Sequence, residues 1–397
     1  MHLNYLALAV PVFTLLMLLE YACSAKEKFQ FDESVANLNV GISERLCDLL
    51  CTGLFFFFYD WLHRNFAIFT IKENWLTWIL LFLFTDFIWY WYHRFGHEVN
   101  LFWSVHVVHH QSEDYNFTVS ARITIFQAVA RALFWSVLPV AGFSAHMITT
   151  LLLIHGSYPF FTHTQLIGKL GWLEWIFVTP SHHRVHHSSN EIYLDKNYGD
   201  VLIIWDRIFG TFTKETEKPI YGLTTPLKSH SFLWQHFHFW LEMAVAFKRA
   251  STLKEKWLCI AGKPININAA IRPALERKFG IKKSKSPLTQ SLKKHIRLQT
   301  IITLATLFLF ILFEHYFTPL QLLIGGLFIL LSVINTGAML EQKKWIFYLE
   351  YTRLFLLVGF IQTYYPGKNV LLLLTIVLLI PTLYFKTLKN YYYKVLY

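Results

Sequence analysis

Apolar residues run in blocks close to bilayer length over most of the 397 positions of this chain. Five blocks, 4–20, 46–70, 75–92, 122–140 and 146–162, precede a long polar interval. Four more follow at 299–317, 319–337, 346–364 and 369–386. Each predicts a helix, because a helix satisfies its own backbone hydrogen bonds where no water is present. The fourth and fifth blocks are short and nearly abut between Ala141 and Ala145, which predicts a hairpin entering and leaving on one side. No basic stretch precedes the first block and Glu20 interrupts its end, so an anchor helix is expected there rather than a cleaved signal peptide.

Composition strengthens this picture. Hydrophobic residues make up 54% of the chain and charged residues only 15%, a balance that a soluble core of this length does not need. The fold class expected is an all-α integral membrane protein, a multi-pass helical bundle. The net charge of +11 is not a nucleic-acid signature, because residues 163–297 alone hold 21 Lys and Arg against 10 Asp and Glu. Basic loops face the cytosol. With Lys26, Lys28 and Arg45 placed there, parity puts the end of the third block, segment 163–297 and Lys343, Lys344, Lys386, Lys389 and Lys394 on the same face. Only Arg64, Lys72 and Lys368 remain opposite. Four expected parts follow: N-terminal helices 1–74, a catalytic part 75–277, a basic linker 278–298 and a C-terminal four-helix region 299–397. Cys23, Cys47, Cys51 and Cys259 offer no disulfide framework.

Chemistry concentrates on the expected cytosolic face. His93 and His97 are four residues apart; His106, His109 and His110, and again His183, His186 and His187, form H-x-x-H-H triplets. Residues three and four apart share a helix face, so three segments each present imidazoles to one place. Eight rings exceed what one tetrahedral ion uses, and a di-metal site is the natural reading. His163, at the end of the fifth block, is expected to join as a further ligand. His155, two turns deeper, reads more readily as a core histidine. His2, His63, His146, His295 and His315 read as surface or core residues, and His230, His236 and His238 as part of an interfacial aromatic stretch. Asp86 lies inside an apolar block, where acids are rare. Asp86, His182, Asp195 and Asn197 are expected to support ligand imidazoles, with Arg131 a candidate partner for Asp86. Glu98, directly after His97, is expected to orient a ligand, contact a cofactor or transfer a proton. The stretch DKNYGDVLIIWDRIFGTF suits an amphipathic element on the membrane surface.

HRFGH, HVVHH and HHRVHH resemble the eight-histidine signature of the fatty acid hydroxylase and sterol desaturase superfamily. The resemblance implies a non-haem di-iron centre ligated by His93, His97, His106, His109, His110, His183, His186 and His187, activating dioxygen against lipid C–H bonds. HEVN, HHQSEDYN, PSHHRVHH and DKNYGDVLIIWDRIFGTF resemble the alkylglycerol monooxygenase group within it, over about residues 86–214. That likeness implies tetrahydrobiopterin as reductant, an alkylglycerol-like membrane lipid as substrate, and a catalytic and cofactor-binding role for Glu98. An external electron donor is required, and a homodimer is compatible with the sequence. The endoplasmic reticulum and a bacterial inner membrane fit the topology equally. A sterol or fatty-acyl hydroxylase or desaturase is the alternative within the superfamily. A metal carrier is the alternative of another class, but its ligands would have to cross the bilayer as a path.

Overall fold

Two long helices carry the framework of the molecule. Phe31–Phe66 has 36 residues, a length of about 54 Å at 1.5 Å per residue. Trp75–Glu98 begins at Asn74, whose side chain accepts the amide hydrogens of Leu76 and Thr77 in a capping box. It runs without a break through the apolar stretch into the first histidine pair, so His93 and His97 are fixed to a helix rooted in apolar surroundings. The computed structural model describes residues 3–25, 29–281 and 287–396; His2, Lys26, Lys28 and the 282–286 portion of the basic linker lie outside them. Among the described residues there is no named strand, only the isolated bridges Phe177–Leu202 and Ser188–Tyr221.

Three of the described helices, Tyr5–Cys23, Gln290–Leu312 and Pro319–Leu340, are long and apolar enough to cross a membrane. A fourth span arises if Lys368–Leu383 and Phe385–Lys394, bent by 63°, are one crossing. The helix surfaces turn apolar side chains outward, among them Leu54 at 69% exposure and Phe57 at 71%, as lipid-facing helices do. The 122–140 and 146–162 blocks do not build full-length helices. They break into Gln127–Trp135, Val137–Ala141, Ala145–His155 and Tyr158–Thr162. The reversal falls at Gly142, where φ is +114° and an added Cβ would stand 2.0 Å from the Phe69 carbonyl oxygen, so no other residue fits.

A buried cluster including Tyr59, Leu81, Tyr92, Trp135 and Met147 joins these short helices to the two long ones. Arg131 does not reach Asp86; its guanidinium pairs with Asp48 at 3.0 Å on the helix Phe31–Phe66. The C-terminal helices are packed onto the same framework. Thr336 donates to Asn39 Oδ1 at 2.8 Å, and Glu341 accepts from the Ser231 amide at 3.1 Å and from the Ser229 hydroxyl. Glu20, 3% exposed, accepts the Phe117 amide hydrogen at 2.6 Å and the Thr164 hydroxyl at 2.5 Å.

Candidate metal centre

Nine histidines meet in two adjoining groups. His93, His97, His106, His110 and His186 form one, and His109, His163, His183 and His187 the other. Within each group the ligand atoms lie within 4.8 Å of one another. Both triplets are divided between the groups. In each, the i and i+4 rings share a group (His106 with His110, His183 with His187), while the i+3 ring, His109 or His186, crosses to its neighbour. Positions i+3 and i+4 differ by about 100° around a helix, enough to serve two adjacent centres from one short segment. The rings of His110 and His187, one from each group, stack with centroids 4.4 Å apart.

The nitrogen positions fit metal ions. His106 Nε2 lies 3.1 Å from His93 Nε2 and 3.0 Å from His110 Nε2. In the second group His163 Nε2 lies 3.2 Å from His109, 3.1 Å from His187 and 3.1 Å from His183. An octahedron with bonds of about 2.1 Å has ligand edges of about 3.0 Å, so these separations are those of imidazoles around an ion. In four of the nine rings the outward nitrogen is committed to a backbone oxygen: His93 Nδ1 donates to Tyr198 at 2.8 Å, His109 to Arg122 at 3.1 Å, His163 to Pro159 at 2.6 Å and His186 to Lys196 at 3.0 Å. A carbonyl only accepts, so Nδ1 carries the hydrogen and the Nε2 lone pair points inward. His97 Nε2 and His186 Nε2 are buried and have no protein partner.

Burial holds the imidazoles of His106, His109, His110, His183, His186 and His187 well below their ordinary pKa, and that of His163 down to about 4. The sites therefore stay neutral and ready to ligate. Metal-free protein should respond to acid accordingly. These groups bind protons more readily when unfolded, so their stabilising effect is complete above about pH 6.5 and is lost towards pH 4. A thermal unfolding series on chelated protein checks this; an unchanged midpoint between about pH 7 and 5 contradicts it.

The surrounding residues differ in part from expectation. Asp86 touches no ligand imidazole. Its Oδ1 meets His155 Nε2 at 2.9 Å and the Val201 amide at 3.0 Å, and its Oδ2 accepts the Leu202 amide at 3.1 Å and Trp205 Nε1 at 2.9 Å. His155 Nδ1 lies 2.9 Å from Asp200 Oδ2. Because Asp86 is 0% exposed, it can settle only where donors are supplied, and the 200–205 turn supplies them. Asn197 also touches no ligand ring: it donates to the carbonyls of His182 and Thr213 and accepts the Thr213 amide. Asp206 receives the amides of Tyr198 and Gly199 at 2.7 Å each. Together these contacts clamp residues 196–213, whose Lys196 and Tyr198 carbonyls orient His186 and His93. Only the short segment Ile204–Ile208 of that stretch is helical; its Asp206 faces inward while Ile208 is exposed. His182 Nδ1 accepts the Thr179 amide, and Asp195 Oδ1 is 4.0 Å from His97 Nδ1. Glu98 pairs with Arg94 at 3.0 Å beside the five-histidine group.

Two further departures concern polar residues distant in sequence. His236 and His238 are buried rather than interfacial, and His238 Nδ1 sits 2.8 Å from Glu242 while its Nε2 meets Gln111. Arg122, which the sequence did not single out, is 1% exposed. It donates to Val108 O at 2.6 Å, Asn37 Oδ1 at 3.0 Å and Gln111 Oε1 at 2.7 Å. It thereby ties the first triplet to the helix Phe31–Phe66. A cation 12 residues after His110 in an otherwise apolar block was the available signal.

Comparison with known proteins agrees with this geometry. The Fatty acid hydroxylase family profile matches residues 78–211, which enclose all nine histidines. The chain is 32% identical to alkylglycerol monooxygenase from Homo sapiens over 363 residues, 86% of this chain and 78% of the relative. It is 40% identical to alkylglycerol monooxygenase from Xenopus tropicalis over 234 residues, 57% of this chain and 51% of that one. An ornithine lipid hydroxylase from Rhizobium tropici is 27% identical over 135 residues, 34% of this chain and 41% of the relative. No solved structure gives a significant match.

Proposed function

Since the chain belongs to the alkylglycerol monooxygenase family, we propose that it hydroxylates the ether-linked carbon of an alkylglycerol within a membrane, using two iron ions. The observation that carries this reading is the pair of buried histidine groups in a chain similar to those enzymes along most of its length. The ligands are the eight motif histidines and His163. Bound iron supplies the activation of dioxygen. One oxygen atom enters the C–H bond beside the ether oxygen and the other leaves as water, with two electrons and two protons taken from an external donor. The resulting hemiacetal breaks into a fatty aldehyde and a glycerol.

The chain's own residues contribute geometry and dryness. Neutral imidazoles, four of them fixed at Nδ1, hold the ions without bringing protons into the site. The clamp of Asp86, Asp206 and Asn197 keeps the carbonyls that aim His93 and His186 in place. Glu98, paired with Arg94 beside the five-histidine group, is the acid proposed for proton transfer and for contact with the reductant. The protein is an integral membrane enzyme, and the basic-loop bias supports a multi-pass topology with the metal centre on the cytosolic side. A lipid substrate then reaches the ions from the bilayer.

Metal analysis of detergent-purified protein should give about two irons per chain, with no Soret band. Alkylglycerol should yield aldehyde when tetrahydrobiopterin is supplied. A single metal per chain, or turnover of a sterol or fatty acid with none of alkylglycerol, overturns the reading.

A further inference from the structure

Residues 166–172, LIGKLGW, are exposed without a break, and Trp175 and Ile176 continue the display. Trp172 is 71% exposed and Trp175 65%. Two indoles and four aliphatic side chains turned outward on one short segment form an apolar patch that needs cover.

The exposure is built into the fold. Glu174 accepts the Leu170 amide at 3.0 Å and the hydroxyls of Thr179 and Ser181 at 3.1 and 2.9 Å. Arg184 donates to the Thr164 and Ile167 carbonyls at 3.0 and 2.8 Å. Arg207 donates to the Glu174 carbonyl at 3.1 Å and lies over the Trp175 ring. The segment is thereby tied to the helix Pro180–His186, which carries His183 and His186.

Its depth is fixed as well. The Thr164 hydroxyl meets Glu20 at 2.5 Å, close to the end of the membrane-crossing helix Tyr5–Cys23. A chain advances at most about 3.6 Å per residue, so Leu166 stands within about 7 Å of that level. His163, a member of the four-histidine group, adjoins Thr164 on the other side. Tryptophan settles where headgroups meet acyl chains, and Lys169 between the two apolar runs can extend its ammonium to water. Behind the segment opens a cleft of about 900 Å³, lined by apolar Ile167, Ile220 and Leu223 together with polar Gln165, Glu215 and Lys218. Such a mixed lining suits the same boundary zone.

We infer that residues 166–176 rest in the boundary between headgroups and acyl chains of one leaflet, and that this contact sets the four-histidine group at the depth of a lipid's glycerol linkage. The second half rests on the monooxygenase reading. The ether-linked carbon of an alkylglycerol lies at that boundary, whereas the end of its chain lies up to about 15 Å deeper. The carbon that reacts is thus selected by depth, without a pocket that measures the alkyl chain.

The test uses full-length, iron-loaded protein in phosphatidylcholine nanodiscs. Trp172→Cys carries a spin label in a chain whose Cys23, Cys47, Cys51 and Cys259 are replaced by Ala. Dissolved oxygen should relax the label more than a water-soluble nickel chelate does. The reverse order would overturn the inference, and so would an immobilised label reached by neither reagent, as at a contact between two copies. A second measurement uses the Trp172→Glu, Trp175→Glu double variant with its native cysteines. KM for a long-chain alkylglycerol in the nanodisc should rise about 10-fold relative to KM for a short-chain alkylglycerol dissolved as monomers, with iron content unchanged. Equal changes in the two KM values would overturn the inference. If the wild-type protein yields no aldehyde from either substrate, the proposed function falls, and spin-label accessibility alone decides the place of the segment.

Discussion

His109→Ala and His110→Ala should each abolish turnover, yet empty different metal sites. The two residues are sequence neighbours, but His109 Nε2 faces His163 at 3.2 Å and His110 Nε2 faces His106 at 3.0 Å. Removing one ring from the four-histidine group leaves three imidazoles and a gap that water fills, so retention of that ion fails first. Removing one from the five-histidine group leaves four, and that ion should be held more weakly but still detectably. We expect iron to fall from about two to about one per chain in His109→Ala and by less in His110→Ala, with turnover down at least about 1,000-fold in both. His315→Ala, at a 56%-exposed side chain beside Glu314, should change neither. Metal analysis with Mössbauer spectroscopy distinguishes the outcomes. Equal iron loss in the two neighbouring variants would contradict the division into groups, and activity in either would contradict the site.

Asp86→Ala is expected to be the most destabilising substitution outside the histidines. It leaves two amides, an indole N–H and His155 without their acceptor in a place water does not reach. Breaking a buried charged pair typically costs about 3–5 kcal/mol. The 196–213 clamp would loosen, and with it the carbonyls that orient His93 and His186. The five-histidine group should then lose iron before the four-histidine group does. Asp86→Asn keeps one acceptor oxygen and should fall between. Thermal unfolding in detergent, with iron measured on the same samples, checks both; an Asp86→Ala protein as stable as wild type would show that the turn is held otherwise.

The convergence of eight of the nine histidines was legible in the sequence because imidazoles at i and i+4, twice with i+3 as well, in three segments are rarely accidental. Their partition into five and four was not, since it depends on how each short helix is rotated against its neighbours. His163 was accessible because its place at the end of an apolar block fixed its depth. The partners of Asp86 were not: a buried acid advertises a need for donors, but the turn at 200–205 lies more than 100 residues away, and nothing local links the two. A separation of 83 residues likewise hid the Arg131–Asp48 pair. Long apolar blocks showed where helices form, whereas the breaks at 122–162 depended on Gly142 and on packing against the Phe69 carbonyl.

The Glu20 carboxylate has a consequence for biosynthesis. Two of its donors, Phe117 and Thr164, are made 97 and 144 residues later. The first helix therefore leaves the ribosome before these two donors exist. Such an acid is tolerated near a headgroup region and not deep in lipid. Thr164 adjoins His163, so docking of this helix is tied to the placement of a member of the four-histidine group.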